Sequence, residues 1–484
     1  MNICVRGLSS VYEPENVARL FFANARLVRR LSRKEDGVLA RAGRRLAAGV
    51  RLGGRCTVLY APRPADEKQA ELALAGLVYE LLKQATGVRP PWGMLTGVRP
   101  VRIIHDRRAA GLSDEAIHRL FVDTYDCTEA KFRLAKSIAD LQRHILAARK
   151  PRDYSLYIGI PFCPSRCSYC SFVSLSTQRE GRLMEPYLEA LCREIKAIRD
   201  RAEDCGLDLK TIYIGGGTPT SLSADQLRQL MGTVRDQFPL KGLAEYTVEA
   251  GRPDCTDAEK LAVIKEYGAT RISINPQTFS DEVLARIGRR HSAQDILDCY
   301  AAARAAGHTD INMDLIAGLP GDTVEGFEHS LKTAIALDPE NITVHTLTLK
   351  RASRIVMEDQ EDNTYADVAA MLEKCSLLPA AGYRPYYLYR QKNTLQNLEN
   401  VGWSKPGSEG YYNIYIMEEV QTILSAGAGG STKLVDTAGH RMQRIFNFKY
   451  PNEYIQRFDE VLERKKGVSA FYDYDLGTET PGGD

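Results

Sequence analysis

From Tyr154 onward, short apolar runs alternate with amphipathic stretches, and no other feature of the chain limits its fold so closely. The runs Leu156–Ile160, Thr211–Ile214, Tyr246–Glu249, Arg271–Ile274, Ile311–Ile316 and Ile342–Leu347 read as strands. Between them Glu185–Arg201, Ala224–Phe238, Asp257–Tyr267, Ala293–Ala306 and Thr323–Leu337 read as helices, with Ser223 and Ser292 as caps. Repeated β-α units imply an α/β fold around a parallel sheet, and six strands make a partial (β/α)6 barrel. The active site of such a barrel lies at the C-terminal ends of its strands.

Directly after the first strand, Cys163, Cys167 and Cys170 stand in a CxxxCxxC run. Three thiolates can hold three irons of a [4Fe–4S] cluster and leave the fourth open for chemistry, because no fourth cysteine follows at ligand spacing. Zinc would call for a fourth Cys or His in reach, and the run from Ser171 to Glu185 offers neither. Three structural cysteines are the plainer alternative, which must explain three of the chain's eleven within eight residues. Gly215-Gly216-Gly217-Thr218 follows the second strand, 45 residues beyond Cys170. Glycines there let backbone approach a ligand, although a glycine triplet alone is a turn signal. Glu249, Gln277, Arg289 and Asp314 fall at or just after later strand ends. Each alone reads as a surface polar residue or helix cap, whereas four around one barrel mouth read as a site.

The 484 residues imply two or three domains, and 44% hydrophobic with 26% charged residues is an ordinary globular composition. A net charge of +2 argues against a general nucleic-acid binder. No apolar run approaches the ~20 residues of a membrane span, and no basic-then-apolar signal opens the chain. The expectation is a cytoplasmic protein whose cysteines are thiols or ligands. Residues 1–150 read as a separate α+β domain, with strands at Asn2–Val5 and Arg55–Tyr60 and a helix at Glu67–Gln84. Leu72, Leu74, Leu77, Val78, Leu81 and Leu82 lie mostly on one face of that helix. The barrel takes residues 151–350. A C-terminal cap takes 351–472, with a helix at Thr364–Ala381, a strand at Arg384–Tyr389 and a helical stretch at Asn413–Ala426. Residues 473–484, acidic and rich in Gly and Pro, read as a mobile tail.

The stretch Tyr157-Ile-Gly-Ile-Pro-Phe-Cys163-Pro-Ser-Arg-Cys167-Ser-Tyr169-Cys170-Ser-Phe172, with the later Gly215-Gly-Gly-Thr-Pro-Thr220, resembles the radical S-adenosylmethionine (SAM) enzymes of the oxygen-independent coproporphyrinogen III oxidase family. The match runs from about Tyr154 to Leu349. Pro91–Pro100 and Asn397–Trp403 resemble that family's coproporphyrinogen dehydrogenase branch. The resemblance implies a [4Fe–4S] cluster on Cys163, Cys167 and Cys170. It also implies one or two SAM molecules contacted by Tyr157, Tyr169, Gly216, Gly217, Thr218, Glu249, Gln277, Arg289 and Asp314. Its reaction is decarboxylation of two propionates of coproporphyrinogen III to vinyl groups, with a flavodoxin or ferredoxin as a possible electron donor. A tetracarboxylate substrate calls for guanidinium and ammonium groups, and Lys350, Arg351, Arg354, Arg390 and Lys392 are the nearest clusters. His291 and His345 read as packing or hydrogen-bonding residues, since neither has a partner at metal spacing.

The chain departs from its relatives at two places. Phe172 stands where the best-known bacterial oxidase has one more cysteine. Tyr412, Ile416 and Met417 stand where the related haem chaperones carry the His and the Tyr-Trp pair of a haem-binding motif, so the imidazole that would ligate haem iron is missing. The ranking is therefore oxidase above chaperone, with radical haem degradation on a similar core as a third class.

Overall fold

The computed structural model describes residues 1–22, 24–32, 35–97, 99–348, 367–391, 394, 397–436 and 441–477, with side chains to 473. The chain forms two compact units, one of Met1–Ala139 with Tyr389–Glu399, the other of Asp140–Leu388 with Asn400–Asp484. The first unit thus ends inside the helix Glu129–Ala147 and takes a segment that the sequence reading gave to the cap.

The first unit holds a five-stranded sheet of β1 (Asn2–Arg6), β2 (Arg26–Leu27), β3 (Gly37–Ala42), β4 (Arg45–Leu52) and β5 (Arg55–Pro62), in the order β2-β1-β3-β4-β5. The helix Glu67–Thr86 supplies Leu74, Val78, Leu81 and Leu82 to a core with Ile3, Val38, Leu46 and Val50. Asp66 caps it through the Gln69 amide. Leu72 departs from the expected face and is 41% exposed.

The second unit is built on β6 (Asp153–Ile160), short strands β7 (Phe162–Cys163) and β8 (Leu175–Ser176), then β9 (Asp208–Gly216), β10 (Glu245–Glu249), β11 (Arg271–Ser273), β12 (Ile311–Ala317) and β13 (Asn341–Thr346). β6, β9, β10, β11, β12 and β13 lie side by side, all parallel, in chain order. They are the six expected strands, and the sheet is not closed. Helices Met184–Asp204, Ala224–Gln237, Ala258–Glu266, Ala293–Ala305 and Val324–Leu337 intervene, with capping boxes at Ser223 and Ser292.

The C-terminal region is not a separate cap. Its strands β14 (Arg384–Arg390), β15 (Glu399–Ser404), β16 (Thr422–Ala426), β17 (Ser431–Val435) and β18 (Met442–Phe446) join the same sheet, β15 antiparallel to β13 and β16 parallel to β6. Both barrel edges thereby find hydrogen-bond partners. The stretch expected as a helix from Asn413 to Ala426 is a helix only over Tyr411–Glu418. It stops where Glu419 turns left-handed at φ 51°, and Thr422–Ala426 then becomes β16. The helix expected from Thr364 begins outside the described residues. From Val368 it is broken by the 3-10 turn Lys374–Ser376, close to Pro379, which has no amide to continue the ladder. Asp473, placed at the start of the tail, lies inside the helix Phe458–Gly477.

The loop after β16 is tied down by a buried ion pair. Lys465 Nζ stands 2.7 Å from Glu194 Oε1, and Glu194 also accepts from Asn447 Nδ2, Tyr454 OH and the Gly427 amide. Every acceptor site of this buried carboxylate faces a donor, as low-dielectric burial of a charge demands. Among the described residues no helix is long and apolar enough to cross a membrane.

Candidate active site

Strand β6 carries the chain to Ile160, where the cysteine loop begins. Cys163 ends β7, which pairs with β8 across the base of the loop, and the Cys170 amide donates to the Cys167 carbonyl at 3.2 Å. The end of β9 runs alongside: the Gly217 amide donates to Ile160 O and the Thr218 amide to Phe162 O, both at 2.8 Å. Thr218 Oγ1 donates to Cys163 Sγ at 3.4 Å. A Cβ on Gly217 would stand 2.6 Å from Phe162 O and 3.0 Å from Cys163 Sγ. The third glycine of the triplet therefore leaves room beside a cysteine sulfur.

On its far side the loop is held by the ends of later β-α units. The Ser168 amide donates to Ile287 O at 3.0 Å and Ser165 Oγ to Gly288 O at 3.2 Å. The buried Arg252 donates to Ser165 O at 2.8 Å, places Nη1 4.0 Å from Cys167 Sγ, and pairs with Asp254 at 2.6 Å. Burial opposes ionisation of Asp254, yet hydrogen bonds from His291 and Arg252 hold its carboxyl well below the usual range. The buried His291 ring lies 3.7 Å from Asp254. Sequence reasoning missed Arg252 and Asp254. The available signal was their place in Gly251-Arg-Pro-Asp254, immediately after the end of β10 as the other site residues follow their strands.

Cys163, Cys167 and Cys170 are free thiols that share one locale. Burial pushes the Cys163 thiol up and the Cys170 thiol up to about 11, and Cys167 opposes ionisation of both. Thr218, Ser174 and Arg252 work the other way on Cys163. Among the described residues no group of three or more His, Cys, Asp and Glu side chains converges on a single-ion site. A cubane gives each thiolate its own iron, so three sulfurs around one loop, beside a glycine that keeps backbone close, fit a [4Fe–4S] cluster.

The other residues expected from the sequence divide into two groups. Arg289, Tyr169 and Gln277 form a chain: Arg289 Nη2 donates to Tyr169 OH at 3.3 Å, and Tyr169 OH donates to Gln277 Oε1 at 3.3 Å. Arg289 Nη1 also donates to Asn275 O at 2.9 Å. Gln277 sits in the left-handed region at φ 71°, pinned by its amide to Asp314 O and by its carbonyl to the Ile316 amide. A non-glycine residue holds that conformation only where its surroundings impose it.

The second group lines the barrel interior. Glu249 accepts from Tyr213 OH at 2.7 Å, and burial raises its carboxyl to about 7 despite that bond. Asp314 also raises it, while the Gly216 amide and His345 lower it. Burial opposes ionisation of Asp314 too, but His345, 3.6 Å away, and Asn312, donating at 2.8 Å, bring its carboxyl below the ordinary value. Tyr157 lies opposite Tyr213 in the β6–β9 register, and their rings stack 6.2 Å apart.

Of the basic residues considered for substrate carboxylates, Lys350, Arg351, Arg354 and Lys392 lie outside the described residues. Arg390 is committed elsewhere. It is buried in the first unit, donates to Leu95 O, Gly97 O and Asn397 O, and lies over the Trp92 ring. Those carbonyls use the face that a carboxylate would need.

A six-strand parallel half-barrel with three thiols beyond its first strand defines a radical SAM protein, and the Radical SAM superfamily pattern matches residues 157–334. The chain is 37% identical to the oxygen-independent coproporphyrinogen-III oxidase-like protein HemZ of Bacillus subtilis, over 96% of this chain and 97% of that protein. It is also 37% identical to the heme chaperone HemW of B. subtilis, over 57% of this chain and 70% of the chaperone. The solved coproporphyrinogen III oxidase (HemN) of Escherichia coli, a radical SAM enzyme, matches with a TM-score of 0.52 and 25% identity, over 66% of this chain and 72% of that one. The chain belongs to the oxygen-independent coproporphyrinogen-III oxidase-like family of radical SAM proteins. Radical SAM proteins use a [4Fe–4S] cluster and S-adenosylmethionine.

Proposed function

We propose that the protein is a coproporphyrinogen dehydrogenase that converts coproporphyrinogen III to protoporphyrinogen IX without oxygen. The observation that carries this reading is the similarity to the HemZ protein along 96% of the chain, whereas the similarity to the B. subtilis chaperone spans 57%.

In this reading Cys163, Cys167 and Cys170 would each hold one iron, with Arg252 beside Cys167 and Thr218 on Cys163 stabilising sulfur charge. Tyr157, Tyr169, Gly216, Gly217, Thr218, Glu249, Gln277, Arg289 and Asp314 would surround SAM. When bound, the cluster and SAM would supply a 5′-deoxyadenosyl radical to take a hydrogen atom from a propionate, and loss of carbon dioxide together with transfer of one electron to a one-electron acceptor would leave a vinyl group. The residues of the chain orient and enclose. Gly215 and Gly217 keep the β9 end open beside Glu249 and Cys163, and the Arg289–Tyr169–Gln277 chain fixes the mouth before any ligand arrives. The Asp314 carboxylate stays charged, and the Glu249 carboxyl is poised to change charge near neutral pH. Electrons would come from a ferredoxin- or flavodoxin-type donor.

A haem chaperone is the second reading, favoured by the HemW similarity. Against it, the position of the chaperone histidine holds Tyr412, which is 5% exposed and stacked inside the barrel. The test is anaerobic incubation of reconstituted protein with reductant, SAM and either coproporphyrinogen III or haem, followed by tetrapyrrole analysis. The expected result is vinyl formation in step with 5′-deoxyadenosine. Stoichiometric haem binding without decarboxylation would transfer the assignment to haem trafficking, and haem-dependent loss of the macrocycle to degradation.

A further inference from the structure

The N-terminal end of the barrel is closed by a segment from late in the chain. Ser408 O accepts from Arg271 Nη1 at 3.2 Å and from Asn341 Nδ2 at 2.8 Å, and the Tyr412 amide donates to Glu245 Oε2 at 3.3 Å. Arg271, Asn341 and Glu245 are the first residues of β11, β13 and β10, so this segment lies at the end opposite the cysteines. From that floor the buried Tyr412 ring reaches up to Tyr213, with centroids 4.5 Å apart and planes 24° from parallel. Tyr157 flanks both rings, 6.2 Å from Tyr213 and 6.3 Å from Tyr412.

We propose that Tyr412 is a positioning residue for Glu249, acting through the ring and hydroxyl of Tyr213. The inference rests on the reading of Glu249 as a cofactor contact. A phenol ring turns about a broad, soft torsion, and the aim of its hydroxyl follows the ring. Stacking by Tyr412 removes that freedom, and the Tyr213 hydroxyl then donates to Glu249 Oε1 at 2.7 Å. Room for the bond comes from Gly215, whose Cβ would stand 2.7 Å from Tyr213 Cε1 and 3.0 Å from Glu249 Cδ. Burial raises the Tyr213 and Tyr412 hydroxyls well above 10, so both stay protonated. The groups facing Glu249 are Tyr213 and the Gly216 amide from β9, Tyr157 from β6, Asp314 from β12, His345 from β13 and Tyr412 from the floor. Tyr213 donates a side-chain hydrogen bond to its carboxyl.

The test is an infrared difference titration of the Glu249 carboxyl in full-length reconstituted protein, identified by subtraction of Glu249→Gln, together with equilibrium SAM binding across pH. A hydrogen bond to a carboxylate lowers its pKa, so losing it moves the midpoint up. Tyr213→Phe and Tyr412→Leu should each raise the midpoint by about one pH unit. Tyr412→Phe, which keeps the ring, should leave it in place. In a Tyr213→Phe background Tyr412→Leu should add nothing, because the two act in series. Melting temperatures identify folded variants, and Tyr412→Met is the second truncation if Leu disrupts the floor. A folded Tyr412→Leu or Tyr412→Met with an unmoved midpoint, or a shift that persists in the Tyr213→Phe background, overturns the proposal. A moved midpoint with SAM affinity unaltered at every pH supports the positioning role and overturns the cofactor contact.

Discussion

Arg252 Nη1 stands 4.0 Å from Cys167 Sγ, and the opposite edge of the guanidinium is clamped by Asp254. A buried cation beside a ligand sulfur offsets the charge that a metal-bound thiolate brings into a low-dielectric loop. Its removal strands Asp254, which is only 16% exposed at its side chain. Arg252→Ala should therefore lower stability by about 3–5 kcal/mol and reduce iron content after reconstitution, as measured by denaturant unfolding and iron assay. Arg252→Ala with unchanged stability and iron would remove the residue from the site.

Cysteine replacements should separate ligands from packing. Alanine at Cys163, Cys167 or Cys170 should each abolish the brown chromophore and the bound iron. Cys192, Cys205, Cys255 and Cys299 should tolerate Ala or Ser, although the Cys255 Sγ lies 3.5 Å from the Arg252 carbonyl. Gly217→Ala should mimic a ligand loss by pressing a methyl group toward Cys163 Sγ.

The raised carboxyl of Glu249, at about 7, makes a stability statement with a definite sign. The folded protein holds this proton more tightly than the unfolded chain. The contribution is fully present below the ordinary glutamate value of about 4.5 and is lost as pH rises through about 7. Measured against wild type by urea unfolding, Glu249→Gln should gain about 2–3 kcal/mol in relative stability between pH 5 and pH 8. A difference that does not vary with pH would mean that Glu249 is charged throughout.

How far the site was legible depended on how local each feature is. The six barrel strands follow from apolar runs and their spacing, and the cysteine loop from eight contiguous residues. β16 was read as helix because Tyr411 to Glu418 is helical and nothing within the next residues says that β6 has an unpaired edge waiting. Arg252 and Glu194 were not singled out from the sequence, the one in a loop and the other within the expected helix Glu185–Arg201. Arg252 is buried against Cys167 and Glu194 against Lys465, contacts between distant parts of the chain that no window of sequence displays.

The Glu194–Lys465 pair should behave as a buried charge pair does. Lys465→Met leaves Glu194 fully enclosed without its cation and should cost about 3–5 kcal/mol in unfolding free energy. Glu194→Gln in the same protein should recover part of that loss, because the amide oxygen can still accept from Asn447, Tyr454 or Gly427. Additive losses in the double variant would mean that the two charges are not coupled.

The first unit is completed by Glu399, which accepts from Trp92 Nε1 at 2.8 Å and pairs with Lys131. On the ribosome, Trp92 and Lys131 emerge long before that partner is made. At about 5–20 residues per second the delay is on the order of tens of seconds, so the indole and the ammonium wait for their partner until the barrel strands have been synthesised, whereas the N-terminal sheet has its buried core within the helix Glu67–Thr86 and the strands before it. Vectorial folding can therefore form that sheet early, and a nascent chain released before Glu399 would carry a first unit finished in its sheet and unfinished around Trp92 and Lys131.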